Sequence, residues 1–483
     1  MLDVVKITLI LPFLGTLVSL FIRTPWVGVI FSAATFITSL IIPIGYSDFI
    51  TISKYLGFSI SLYVDGLNIL LIVLTTGLFL LVFLYSLVER RERKDEYVFL
   101  FLLLEALILP TFFTKNILAF YFFFDAILVP MFFIIGIWGT GRKIYSAYKF
   151  VLFTFFGSIF FLVSTIYIGK LVYAETGRLS FELEDFIRVV QNLDHTTKLI
   201  LFLGFFIAFA VKIPLVPVHV WLPDAHTEAP TGGSVILAGI LLKIGSYAFL
   251  RFAVPVFPDI VKDYAFYIAL ISVLGIVYGA FLALAQQDIK RLIAYSSVSH
   301  MGYVMLGSVA LVGDKISYEG LQGAVLQMVN HGVATGALFF LVGMIYERTH
   351  TRMIDDYSGI AKKVPIFTTF FIIFTLSSIG FPSTGGFIGE LLVIIGAIKY
   401  DTVLGIITAS GAILSAGYML YLVLRVFFGE LKKSDVIEEL EDVRGIEVFV
   451  LSVLSVLVFL IGIFPSPFME VIKGGIEFVW KHL

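Results

Sequence analysis

ILLIVLTTGLFLLVFL, residues 69–84, is apolar on almost every side of a helix. A strand of a closed β-barrel would alternate apolar and polar residues, so this run reads as a helix in lipid. Working outward from it, a hydrocarbon core of about 30 Å needs about 20 helical residues per crossing and marks about fourteen such segments. They lie near residues 4–22, 26–45, 66–88, 97–114, 117–138, 146–169, 197–221, 232–254, 264–285, 290–312, 319–346, 365–398, 402–428 and 447–466. The composition agrees, since 59% of the 483 residues are hydrophobic and 14% are charged, outside the range of soluble domains. The longest polar connections, 170–196, 347–364 and 429–446, are too short to hold cores of their own and read as solvated loop or surface helix. The expected class is an all-α polytopic membrane protein: one multi-pass domain spanning the whole chain.

The same composition closes off several functions. A formal charge of −2 with no long basic run gives no reason to expect a nucleic-acid partner. Without cysteine the chain has no thiolates for an iron–sulfur cluster, no disulfide and no covalent haem link, so redox chemistry falls to another chain. There is no phosphate-binding Gly-rich loop, no HExxH and no nucleophile elbow. The first apolar stretch, Ile7 to Ile22, lacks a basic leader and a cleavage site and is expected to be a retained helix. Lysine and arginine cluster moderately at Arg91, Arg93, Lys94, Arg142, Lys143, Arg348 and Arg352, which favours an outside N-terminus.

Two spans are interrupted alike. AVKIPLVPVHVWLP, residues 210–223, carries Pro214 and Pro217, each of which removes a backbone donor, and SSIGFPSTGGFIGE, residues 377–390, sets Pro382 among Gly380, Gly385 and Gly386. Irregular backbone at membrane depth is tolerated where protein or water satisfies the freed groups. Two such breaks five spans apart are the pattern of an internal repeat with transport sites at the broken helices, and an odd offset inverts the second unit.

Ionisable residues lie at the same depth: Asp125, Lys212, Lys243, His331 and Glu390, on five different helices. Each costs at least about 2.5 kcal/mol to insert, so each needs a reason to be there. Polar contacts between helices would explain one; five, of both signs and two beside breaks, read better as a chain of proton donors and acceptors. Polar stripes extend it, through the pairs Tyr295 and Ser299, Ser296 and His300, and through Gln327, His331 and Thr335. Of these His300 is the strongest further member. Glu105 is another carboxylate at depth, and His219 and His226 alone do not make a metal site.

KIPLVPVHVWLPDAHTEAPTGGSVILAGILLKIGSYAFLRF, residues 212–252, resembles the M-type antiporter-like subunits of NADH-quinone oxidoreductase, the respiratory complex I. DIKRLIAYSSVSHMGYV at 288–304, NHGVATGALFFLVGMIYERTHTR at 330–352 and GFPSTGGFIGE at 380–390 are similar to the same family, and the likeness runs from roughly residue 60 to 430. It implies fourteen helices with two inverted five-helix repeats, about 97–254 and 264–428, between peripheral helices at 4–88 and 447–466. It further implies proton translocation in a bacterial plasma (inner) membrane, beside other membrane-arm subunits including antiporter-like neighbours. NADH, FMN, iron–sulfur clusters and quinone would belong to partner subunits, and no cofactor to this chain. The family's fifth-helix carboxylate falls on Asp125, its broken-helix lysine on Lys212, its central lysine on Lys243 and its twelfth-helix glutamate on Glu390. The family usually has glutamate where this chain has Asp125, so the approach to Lys212 must differ. Two alternatives stay open: a subunit of a cation/proton antiporter or membrane-bound hydrogenase, and a non-conducting scaffold.

Overall fold

The computed structural model describes residues 3–482 apart from 54–57, 90, 433–436 and 438–439. Among these, eleven helices are long and apolar enough to cross a membrane, and two shorter apolar helices, Pro25–Leu40 and Pro365–Ser378, accompany them. The protein is an all-α membrane protein whose helices are hydrophobic enough to be sorted by depth inside the bundle rather than by a polar face. The apolar windows of Thr231–Val256 and Tyr318–Thr349 are wholly enclosed, whereas those of Lys143–Thr176 and Thr402–Phe427 are 39% inside and show the rest at the perimeter. Tyr318–Thr349 packs against Ile289–Gly307, Gly385–Tyr400 and the Leu237–Leu241 part of Thr231–Val256. The two enclosed helices are therefore the axis on which the others are hung.

Glycine lets that axis close. A Cβ on Gly332 would lie 2.9 Å from the carbonyl oxygen of Gly239 and 2.6 Å from Leu74 Cδ2, so the two backbones meet without side chains between them. Gly332→Ala is expected to push the helices apart at an overpacking cost of about 1–3 kcal/mol. A lowered melting temperature of the assembled complex would register it; an unchanged one would mean that the seam is softer than its geometry implies.

Both interrupted helices stop where proline removes the donors. His195–Lys212 ends at Ile213, and the chain continues through a 3-10 turn, Val218–Trp221, and the short helix Leu222–Glu228. The indole of Trp221 donates to the Val211 carbonyl at 2.9 Å, replacing one lost ladder bond. Pro365–Ser378 ends at Ile379, Gly380 turns the chain at φ +67°, and the helix resumes as Gly385–Tyr400. Thr231–Val256 has a different irregularity: Lys243 lies in the α-helical stretch Leu242–Ala248 between two π-helical ones, Leu237–Leu241 and Phe249–Ala253.

Two of the following three elements have no counterpart in the sequence reading, and the third is a surface helix of the kind expected in the 170–196 connection. An antiparallel hairpin pairs Ser47–Ser53 with Phe58–Tyr63. Leu183–Gln191, inside the 170–196 connection, buries Leu183, Phe186, Val189 and Val190 along one face. Ser466–Lys481 does the same with Ile472, Gly475, Ile476 and Val479. That last helix lies over the end of Thr231–Val256, where the Arg251 guanidinium sits 4.8 Å from the Phe478 ring and grips both oxygens of Asp65 at 2.7 and 2.8 Å.

Candidate functional site

The ionisable residues form a row rather than a cluster. Lys243, fully enclosed, places Nζ 2.5 Å from His331 Nδ1 and also donates to the Ala238 carbonyl of its own helix. The Gly239–Gly332 crossing brings these two side chains together, since His331 immediately precedes Gly332. The His331 ring lies 5.5 Å, centroid to centroid, from that of His300. His300 Nδ1 lies 3.0 Å from Glu390 Oε1, and its Nε2 lies 3.2 Å from Ser378 Oγ. Gln327 donates to the same Glu390 oxygen at 3.1 Å. Lys243, His331, His300 and Glu390 are thus linked across four helices, with one gap, between the two imidazoles. A cavity of ≈ 10 Å³ lined by His300, His331, Asn330, Thr335 and Ser378 fills that gap, room for about one water.

Charge decides what such a row can do. Two unit charges at about 4 Å and an effective dielectric of about 20 repel by about 4 kcal/mol, roughly a thousandfold in an equilibrium. Lys243 and His331, closer than that and with no carboxylate between them, hold one proton comfortably and two poorly.

Asp125 and Lys212 stand apart from this row. Lys212 is 1% exposed and its ammonium has no hydrogen-bond partner among the described residues. It is held by aromatic faces, 4.7 Å from the Phe124 centroid and 5.8 Å from that of Phe150. Asp125, half-buried, accepts from Ser158 Oγ at 2.8 Å, and no salt bridge joins it to Lys212. The aspartate, one methylene shorter than glutamate, takes its hydrogen bond from a hydroxyl and faces the Lys212 ammonium within electrostatic reach but without an ion-pair contact.

Glu105 is elsewhere again, enclosed against Ser32 at 3.3 Å on the helix Pro25–Leu40. The stripe beside His300 is mostly structural: Ser299 Oγ donates to the Ile276 carbonyl at 2.9 Å and Ser296 Oγ to that of Ile293 at 2.8 Å. His219 packs its ring edge-on to Tyr278, 5.8 Å between centroids. No group of three or more potential metal ligands gathers among the described residues. Sequence reasoning passed over Ser378 and Asn330, whose amide donates to the Gly385 carbonyl at 2.5 Å and braces the second break. Their signal was faint, one hydroxyl and one amide among many.

Residues 114–415 match the family model described as NADH:quinone oxidoreductase/Mrp antiporter, TM. NADH-quinone oxidoreductase subunit M of Rickettsia prowazekii is 41% identical, over 99% of this chain and 98% of the relative. The chain belongs to the subunit M family of NADH-quinone oxidoreductase. As a subunit M it is a membrane subunit of respiratory complex I. A chain in the structure of respiratory complex I from Thermus thermophilus with bound NADH superposes on it with a TM-score of 0.89, at 32% identity and 99% coverage of both. A chain of an archaeal membrane-bound sulfane sulfur reductase reaches a TM-score of 0.83 at 24% identity, over 95% of this chain and 76% of that one, and shares the fold. Full-length likeness to subunit M sequences separates this chain from the wider antiporter and hydrogenase class that the helix breaks alone left open.

Proposed function

We propose that this subunit M translocates protons along Lys212, Lys243, His331, His300 and Glu390, with Asp125 setting the charge on Lys212. The observation that carries the reading is the 2.5 Å contact of Lys243 with His331 where the two enclosed helices cross. That contact joins two halves, each with its own broken helix, at 213–217 and 379–384. The halves are read as inverted five-helix repeats, about 97–254 and 264–428, in a fourteen-span domain with peripheral helices at 4–88 and 447–466. Work is supplied from outside the chain by quinone reduction, with NADH, FMN and iron–sulfur clusters in partner subunits of a bacterial plasma membrane complex.

Asp125 points to how neighbours sit. It shares a helix face with Phe122, Val129 and Phe133, which are 55%, 58% and 44% exposed, so a carboxylate stands on an otherwise apolar outer stripe. A neighbouring antiporter-like subunit covering that stripe would supply the polar contact that lipid cannot.

Glu390→Gln tests the relay, because the amide keeps the size of the side chain but cannot carry a proton. NADH-driven proton uptake by membrane vesicles is expected to fall about a hundredfold or more, the contribution typical of a positioned proton-transfer group, with complex I still assembled. Normal uptake in an assembled complex would leave the chain as a scaffold.

A further inference from the structure

Lys212 is the last residue of its helix, and a cation at a helix C-terminus ordinarily finds freed carbonyls to bond. Here the nearest are taken. The Val211 carbonyl accepts from the Trp221 indole, and that of Ala210 accepts from the Leu215 amide at 2.9 Å. Asp125 is bonded by Ser158 through one oxygen, and its other oxygen, Oδ1, is enclosed without a partner among the described residues. The ammonium and that oxygen stand within electrostatic reach of each other and are not bonded. An enclosed ammonium with no hydrogen bond needs some other hold.

Two rings supply it. Lys212 Nζ lies 4.7 Å from the Phe124 centroid and 5.8 Å from that of Phe150, both inside the distance of about 6 Å over which a ring face attracts a cation. It is the nitrogen, not the stem, that these distances describe. The rings come from different helices, Phe124 from Ile117–Ala126 and Phe150 from Lys143–Thr176, and both are braced. Phe120 and Phe209 flank Phe124, at 5.4 and 6.4 Å between centroids, and Phe150 rests on Trp221 at 5.2 Å. From the remaining side the Lys243 helix presses on the stem, since a Cβ on Gly245 would lie 3.1 Å from Lys212 Cβ. The ammonium sits in a preformed box.

We propose that Phe124 and Phe150 are positioning residues for Lys212, their faces holding its ammonium in place where the shorter Asp125 makes no bond to it. The negative face of a ring attracts an ammonium and has no such hold on a neutral amine. A desolvated contact of this kind is worth about thirtyfold in how often the cation is found there. Unlike a carboxylate, a phenyl ring has no atom that takes up a proton, so it steadies the lysine without competing for what the lysine carries. The inference rests on the relay reading, in which the charge of Lys212 must be kept in place, and adds the groups that keep it.

The test keeps the ring and changes its electrons. A phenylalanine trifluorinated on its ring, introduced in place of Phe124, has nearly the native shape and little of the negative face. The readout is the number of protons taken up per NADH oxidised by vesicles holding intact complex I, which a loss of general activity does not change. The trifluorinated ring and Phe124→Leu are each expected to lower that ratio by at least about half as much as Lys212→Met does. The same changes at Phe150, the more distant ring, are expected to act less. If Phe124→Leu does not assemble, the trifluorinated ring decides alone. A loss with leucine but none with the trifluorinated ring would make Phe124 a spacer and overturn the proposal. A wild-type ratio with both, while Lys212→Met lowers it, would also overturn it and leave the relay standing. A wild-type ratio with Lys212→Met would remove Lys212 from the relay, and the box with it.

Discussion

Vesicles carrying Lys243→Ala are expected to take up protons at about a hundredth of the wild-type rate or less while complex I remains assembled. The argument is local. The amine touches both its own helix, at the Ala238 carbonyl, and the opposite half of the subunit, at His331. Alanine leaves His331 with neither nitrogen partnered, since Nε2 already has no hydrogen bond among the described residues. A hop that was one hydrogen bond long would then need a file of waters through a fully enclosed, largely apolar helix seam. Removing a buried lysine also removes its desolvation cost, so assembly should survive, and the amount of intact complex on a native gel separates the two effects. Uptake at the wild-type rate with normal assembly would break the proposed relay at its centre.

The second large effect concerns the Arg251 end of the same helix. Asp65→Ala leaves Arg251, 0% exposed, as an uncompensated buried charge, which costs about 3–5 kcal/mol where such pairs are broken by removing one partner. Tyr247, 3.3 Å from Arg251 Nε, offers only a neutral hydroxyl in exchange. Assembled complex I is expected to be scarce in that variant and its melting temperature low. The double variant Asp65→Ala with Arg251→Leu should recover much of the loss, because an apolar pair of similar volume carries no stranded charge. If the single and double variants assembled equally well, the ion pair would not be what holds this end together.

Much of this arrangement was legible in the chain, and the rest was not for identifiable reasons. Spans are written in composition, so Ile69–Ser86 and its neighbours begin and end within a few residues of their apolar runs. The breaks are written in proline and glycine. Ser466–Lys481 escaped notice because its apolar residues recur at helical spacing among charges, too sparsely for a span. The hairpin at 47–63 was passed over as the polar gap between two spans. Lys290 opens the expected span 290–312, and only the folded chain turns it inward onto Ala229. Distances between helices are in no motif: the shorter aspartate implied a different approach to Lys212, and the structure leaves the two within electrostatic reach, with Asp125 hydrogen-bonded by Ser158 and Lys212 set against two phenylalanines. His300, one polar residue among several in its stripe, proved to be the link to Glu390.

The π-helical turn before Lys243 has one more consequence. Widening the helix there leaves the Ala238 carbonyl within reach of the lysine's own ammonium. The group that steadies this cation is thus a peptide dipole, which carries no net charge and takes up no proton of its own. A carboxylate in that place would pull the proton back after each departure and would itself need neutralising. In the proposed relay a carbonyl would let Lys243 alternate between amine and ammonium with no anion stranded in the middle of the bilayer.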